Sequence, residues 1–251
     1  MRYFLKLSYF GKAYHGWQNQ PDSISVQEVL EQNLSKVFPF SVAIVGAGRT
    51  DAGVHARQMF AHFDASEELD GEDLAYKLNS MLPKDIAISE VFPVAKEAHA
   101  RFDAVARSYE YHLLQYKDVF AYDQAWYFRY ELDLEKMNKA AEILKEYSDF
   151  QCFSKSRTDV HTYNCRVDEA KWVEKDGKLI FYITADRFLR NMVRAVVGTL
   201  LEIGQGKQPV EYMHEVIKSK DRGKAGTSVP AHGLYLTRIE YPETIRELDG
   251  I

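Results

Sequence analysis

Twice along this chain the hydrophobic period switches between 2 and 3.6 in the same order. That repeated order limits the fold more than any single motif. Residues 3–10 (YFLKLSYF) read as a strand. Residues 25–38 read as a helix: Ser25 and Glu28 form a capping box, and Val26, Val29 or Leu30, Leu34 and Val37 recur at helical spacing. An apolar stretch then enters a glycine loop at Gly46. Residues 57–63 alternate as a strand, with Met59, Ala61 and Phe63 on one side and Gln58, Phe60 and His62 on the other. A helix over 73–82, stopped by Pro83, and a strand over 86–94 complete a β-α-β-β-α-β unit, the split ferredoxin-like plan.

The second half runs similarly. Residues 107–116 read as a strand and 133–147 as a helix capped by Asp133. A hairpin over 166–188 turns at Asp176-Gly177. A strongly apolar helix over 188–204 ends at Gly204, a further helix spans 210–221, and a strand over 233–242 closes the chain. The pattern repeats with one extra helix, without any repeat of the residues themselves. The expected class is therefore α+β: two tandem ferredoxin-like units, 1–105 and 106–251, whose antiparallel sheets join into one with helices on one face. No Gly/Ser-rich or Pro-rich linker marks the boundary near 95–106, so the halves are expected to pack rigidly. The face without helices is a natural platform for an extended ligand.

A chain of 251 residues buries roughly 70–75% of its surface, enough for a substantial core. Its 46% hydrophobic and 27% charged residues describe an ordinary soluble protein, and no apolar run approaches the roughly 20 residues of a membrane span. The first residues start directly as a strand, without a signal-peptide apolar region, so a cytoplasmic location is expected. Cys152, His161 and Cys165 lie close in sequence, but no C-x-x-C spacing accompanies them, so no metal site is expected. The net charge of −5 is unlike a simple nucleic-acid binder. The charge is segregated, however: residues 64–73 hold six carboxylates and no Lys or Arg, whereas 187–224 hold eight basic residues against four acidic ones. A basic face is compatible with that distribution.

The stretch GAGRTDAGVHA at 46–56 has the look of a nucleotide loop, but its spacing excludes one. A dinucleotide turn has Gly at the third position of G-x-G-x-x-G, where this chain has Asp51, a carboxylate that would repel a pyrophosphate. A P-loop needs Gly-Lys-Ser/Thr, and here Gly53 is followed by Val54-His55. No nucleotide cofactor is expected. What remains is a glycine-framed loop carrying Arg49 and Asp51, which reads either as an Asx-turn or as a chemical group.

Two further stretches bear on that choice. In the helix over 188–204, Arg187, Arg190 and Arg194 fall at i, i+3 and i+7, a solvated edge from which one arginine can be drawn in. Arg194, between Val193 and Val196, is the candidate, and a buried arginine needs an anion. In the strand over 107–116, Tyr109, Tyr111 and Leu113 share a face with Arg107. With Arg101, they read either as half-buried core or as an Arg/Tyr surface for stacking and phosphate contact. In GKAGTSVPAHGLYL (223–236), His232 alone carries little weight.

Several stretches together resemble the tRNA pseudouridine synthases of the TruA family over nearly the whole chain: YFGKAYHGWQNQP with SVQEVLEQ, GAGRTDAGVHA, HARFDAVARSYEYHL, FLRNMVRAVVG and AHGLYL. The resemblance implies Asp51 as the catalytic aspartate, with Arg194 paired to it. It implies Tyr109 contacting the target base, Leu234 beneath that base and Arg49 assisting its extrusion. It further implies uridines at tRNA positions 38, 39 and 40 in the anticodon stem-loop, a homodimer cradling tRNA across both subunits, and no cofactor. Arg101, Arg107, Arg187 and Arg190 are expected to meet the RNA backbone. The chain departs from the family at Ala195, where the family often has Asn. Two rival readings are a non-catalytic RNA-binding module of the same plan and a hydrolase pairing Asp51 with Asp64 or Asp103. Glycoside-type hydrolysis needs a second, fixed carboxylate, and the residues fix none beside Asp51.

Overall fold

The computed structural model describes residues 1–155 and 161–246. They hold nine strands and five α-helices, with mostly antiparallel strand pairing, so the α+β class expected from the pattern is the class observed. The chain divides into two compact units, Met1–Val105 with Leu236–Ile251, and Ala106–Tyr235.

In the first unit, β1 (Arg2–Tyr9) is the central strand. It pairs antiparallel with β3 (His55–Asp64) and with β4 (Ile86–Val94), Leu5 lying opposite both Ala61 and Val91. β2 (Val45–Gly46) adds two residues to β3. α1 (Val26–Val37) starts where Ser25 accepts a hydrogen bond from the Glu28 amide at 3.1 Å, and α2 (Gly71–Met81) starts at an Asp70 cap. Both helices serve the same sheet face. Phe38, at the end of α1, packs on Phe63, which stacks on Tyr3, and the Tyr3 hydroxyl accepts from the Leu69 amide just before α2. At the opposite face the sheet is not bare. Phe4, Phe60 and Phe92 form an aromatic cluster closed by the Tyr241 ring, with the Arg246 guanidinium 3.9 Å above Phe92.

The second unit is built on β5 (Ala106–Leu114), β7 (Val167–Lys175) and β8 (Lys178–Ala185), in the order β5-β8-β7, with β6 (Trp126–Tyr127) parallel to β5. The β7–β8 hairpin turns at Asp176 (φ 51°) and Gly177 (φ 72°), the two left-handed positions that the Asp-Gly pair supplies. α3 (Leu134–Ile143), capped by Asp133, packs on β7 and on α4 (Met192–Gly204), which is buried along most of its length. α5 (Tyr212–Ser219) follows.

Three elements differ from expectation, each for a local reason. The strand leading into the glycine loop shrinks to two residues. α4 begins at Met192 and not at 188, because Asn191 sits in the left-handed region (φ 69°) and donates its side-chain amide to the Ser228 hydroxyl at 2.6 Å. Phe188 and Leu189 continue the apolar pattern without being helical. The expected arginine stripe is therefore broken: Arg187 and Arg190 lie in the connection before α4, and only Arg194 is on the helix. Finally, the closing strand β9 (Leu234–Glu240) leaves the second unit at Leu236. From there it is tied to the first unit by Ile239 N–H to Gln58 Oε1 (2.7 Å), Val105 N–H to the Glu240 carbonyl (2.8 Å) and the Tyr241 hydroxyl to the Ala100 carbonyl (2.5 Å).

One device occurs in both units although no residues repeat. The Asn79 side chain of α2 donates to the Ile88 carbonyl and accepts from the Ile88 amide, both at 2.8 Å. Asn138 of α3 does the same to Trp172 of β7, at 3.1 and 2.7 Å. In each case a helix amide occupies backbone groups of a strand at the end of its unit's pairing order, groups that would otherwise invite another strand. Asn79→Ala should cost about 1–3 kcal/mol in urea unfolding, because it strands one donor and one acceptor together. A loss under about 0.5 kcal/mol would show that water replaces the amide at no cost.

Candidate active site

The Asp51 loop joins β2 to β3, and its shape is imposed from outside by residues 9–17. The Thr50 carbonyl accepts from the Trp17 amide at 3.2 Å, and the Thr50 hydroxyl meets the Tyr9 hydroxyl at 2.9 Å. The Gly53 amide donates to the Tyr14 carbonyl at 3.3 Å, and the Ala47 amide donates to the Phe60 carbonyl at 2.8 Å. The Val54 amide closes a turn on the Asp51 carbonyl at 3.2 Å, with Gly53 at φ 79° inside it.

The two backbones approach too closely for side chains. A Cβ on Gly11 would strike the Val54 carbonyl, one on Gly16 the Thr50 carbonyl, and one on Gly46 the indole of Trp17. Gly16 also has φ +91°. The loop is therefore a fixed frame. Asp51 is half-buried within it and Arg49 is exposed, beside a Gly48 that has open space around it. The frame's backbone is tied to Tyr14, Trp17 and Phe60.

The second unit carries Arg194, Tyr109 and Leu234. Arg194 is half-buried, and its Nε donates to the Val229 carbonyl at 2.7 Å, while the Val229 amide returns a bond to the Arg194 carbonyl at 3.2 Å. This doubly bonded contact fixes the direction of the guanidinium. The helix can lie this close because Gly198 faces the Thr227 carbonyl and Gly226 faces the Gly198 backbone, neither with room for a Cβ. The adjoining Pro230 carbonyl accepts from the Tyr111 hydroxyl at 2.8 Å. Burial holds the Tyr111 phenol well above its usual value, against the opposing influence of the Arg194 charge. Tyr111 is therefore a buried structural tyrosine. Tyr109, two residues earlier on the same strand face, is half-buried and meets Phe188 edge-on at 5.0 Å. Leu234 is buried at the start of β9, directly after the turn of Ala231–Gly233.

Of the residues expected to meet RNA backbone, one belongs to the first unit and three to the second. Arg101 is exposed on a turn of the first unit. Arg107 donates to the Asp186 carbonyl at 2.9 Å, Asp186 in turn accepts from the Arg187 amide at 2.7 Å, and Arg190 is exposed. The framing residues Tyr9, Gly11, Gly16 and Trp17 were missed in reading the residues. Their signal was the pair of glycines in GKAYHGW, a mark of close backbone approach. Cys152 and Cys165 are buried free thiols, each pushed up to about 12 by burial, which suits packing and not reactivity. Among the described residues no cluster of three His, Cys, Asp or Glu side chains could hold a metal ion, and no helix is long and apolar enough to cross a membrane.

A family model described as tRNA pseudouridine synthase matches residues 7–103 and 140–242, spanning both the Asp51 loop and α4. The chain is 51% identical over 245 residues to a tRNA pseudouridine synthase A of Parabacteroides distasonis, covering 97% of each. It is 51% identical over 247 residues to that of Bacteroides thetaiotaomicron, covering 97% of this chain and 92% of the relative. Against that of Porphyromonas gingivalis it is 48% identical over 248 residues, covering 97% and 98%. The chain belongs to the tRNA pseudouridine synthase family. Pseudouridine synthases are isomerases, and the chain is an enzyme of that class.

The glycine frame makes a specific prediction. Gly16→Ala combines a left-handed backbone with a clash against the Thr50 carbonyl and should cost about 2–5 kcal/mol. It should also lower pseudouridine formation more than tenfold. Gly206→Ala also has positive φ (71°) but open space, and should cost about 1–2 kcal/mol with wild-type activity. Melting curves and tritium release from C5-labelled uridine in tRNA read both effects. Full activity in Gly16→Ala would show that the loop does not need the frame.

Proposed function

We propose that the protein converts uridine to pseudouridine at positions 38, 39 and 40 in the anticodon stem-loop of tRNA, using Asp51 and no cofactor. The observation that carries this reading is the family match running unbroken through the glycine-framed loop in which Asp51 sits.

The reaction breaks the N1–C1′ bond, rotates the uracil and forms C5–C1′. The C5 proton leaves to solvent and N1 gains one, so no redox change or outside energy is needed. The base must first leave its stack. Arg49, exposed beside Asp51, fills the vacated space. Tyr109 lies against the extruded base and Leu234 supports it from beneath. Asp51 then acts as an anion, either adding to C1′ as the glycosidic bond breaks or taking the C2′ proton to give a glycal. Either route needs an ionised carboxylate in a water-poor place. Desolvation opposes that charge and a guanidinium favours it, the role proposed for Arg194. The fixed Arg194–Val229 contact supports that role, because an arginine already oriented loses less freedom on pairing.

The enzyme is proposed to act as a cytoplasmic homodimer with tRNA lying across both subunits. Arg101, Arg107, Arg187 and Arg190 would hold phosphates. Segregation of basic residues into 187–224 supports this, since a chain of net charge −5 can attract RNA only through a local positive field.

Asp51→Asn keeps the shape of the side chain and removes its charge. Turnover should fall below detection by tritium release, while stability shifts by no more than about 1–2 kcal/mol. tRNA affinity by filter binding should hold or rise slightly, since a negative charge has left an RNA-facing surface. Activity above a few per cent of wild type, in a preparation free of deamidation, would remove Asp51 from the chemistry. Joint loss of binding and folding would identify it as a structural turn residue.

A further inference from the structure

Phe102 is 73% exposed, yet the turn beneath it is tied at nearly every backbone group. The His99 amide donates to Asp103 Oδ2 at 2.7 Å, and the Asp103 amide returns to the His99 carbonyl at 3.1 Å. His99 Nδ1 accepts from both the Arg101 and Phe102 amides, at 3.1 and 3.3 Å. The Ala100 amide donates to His62 Nδ1 at 3.1 Å, and the Ala100 carbonyl accepts from Tyr241 at 2.5 Å. Arg2 holds the Ala98 carbonyl at 2.9 Å.

These bonds require both imidazoles to be neutral at Nδ1. Burial, the largest cause, keeps the imidazolium forms disfavoured: it helps lower His62 to about 4 and depresses His99, against the opposing pull of Asp103. The Phe102 ring rests on the His99 ring at 4.3 Å, which meets His62 at 4.7 Å, and the Arg101 guanidinium lies 5.6 Å from the Phe102 centroid. A loosely held phenylalanine on a surface needs no explanation. This one is backed by the tilted His99 ring, which meets His62 edge-on, is held by a fixed backbone and has the Arg101 guanidinium over its ring.

We infer that Phe102 and Arg101 form a stacking platform for an unpaired base of the tRNA, the ring taking the base face and the guanidinium an adjoining phosphate. The inference rests on tRNA being the substrate. Rigid aromatic rings beside arginine are the elements that bind single-stranded bases without reading their sequence. A protein contact fits less well. Val105 is the only other exposed large apolar side chain between Met81 and Tyr116 in the sequence. The platform is a binding element and touches no reacting atom.

The test measures tRNA affinity by filter binding, single-turnover rate at saturating tRNA, melting temperature and mass by light scattering, for Phe102→Ala, Phe102→Leu and Phe102→Trp. Phe102→Ala should bind tRNA about ten-fold more weakly, with unchanged melting temperature, mass and saturated rate. Phe102→Trp should restore affinity, and its new indole should be quenched on tRNA addition beyond any change in wild type. Phe102→Leu should stay close to Phe102→Ala. Unchanged affinity in Phe102→Ala would overturn the platform. So would recovery in Phe102→Leu equal to that in Phe102→Trp, which would mean plain apolar contact. A lowered melting temperature accompanying the affinity loss would make the ring structural, and a change in mass would make it a protein contact. If wild type neither binds nor converts tRNA, the functional reading falls and the platform with it. If wild type converts tRNA and Phe102→Ala binds as tightly, the platform alone falls.

Discussion

The first unit depends on two stretches of backbone that approach too closely for any side chain between them. Gly11 lies on the Val54 carbonyl and Gly16 on the Thr50 carbonyl, so residues 11–17 act as a mould for residues 50–54. Each contact gives up a Cβ and accepts the backbone entropy of glycine. In return the loop becomes a rigid support for Asp51, with its carbonyls and amides bonded to Tyr14 and Trp17. The role proposed for Asp51 calls for this kind of support, since catalytic geometry is lost within about an ångström of misplacement. Helix and strand propensity alone would leave 50–54 a mobile surface loop.

The second unit solves the same problem with a helix. Gly198 and Gly226 let the start of α4 lie against the 225–230 segment, and Arg194 is then oriented by the Val229 carbonyl. The acidic average of the chain is consistent with this economy. Positive charge is concentrated in residues 187–224, with eight basic residues against four acidic ones, while residues 64–73 carry six carboxylates and no Lys or Arg.

Much of the architecture was legible because its signals are local. Ser25, Asp133 and the Asp176-Gly177 turn act within four residues of themselves, and each does in the structure what its position announces. What was not legible acts at a distance or against the local pattern. Phe188 and Leu189 continue the apolar run of α4, and only the left-handed Asn191, held by Ser228, stops the helix short of them. That single residue removes Arg187 and Arg190 from the helix. Tyr241 covers an aromatic cluster seeded at Phe4, a pairing that no periodicity encodes. The bonds of Asn79 and Asn138 to their edge strands lie outside any helical period, since each joins a helix to a strand elsewhere in the chain. For the candidate site, residue types and spacing excluded a nucleotide loop and left Asp51 open between an Asx-turn and a chemical group, while roles for Asp51, Arg194, Tyr109, Leu234 and Arg49 came from the family resemblance. The frame of glycines that holds Asp51 came only from the structure.

The central claim is that this rigid carboxylate loop serves uridines 38, 39 and 40 of tRNA. The most direct test maps the product. An unmodified tRNA transcript with uridine at those positions is incubated with the protein, treated with carbodiimide and alkali, and read by primer extension. The account predicts enzyme-dependent stops reporting pseudouridine at 38, 39 and 40 and at no other uridine. Stops confined to other positions, with those three uridines untouched, would contradict it.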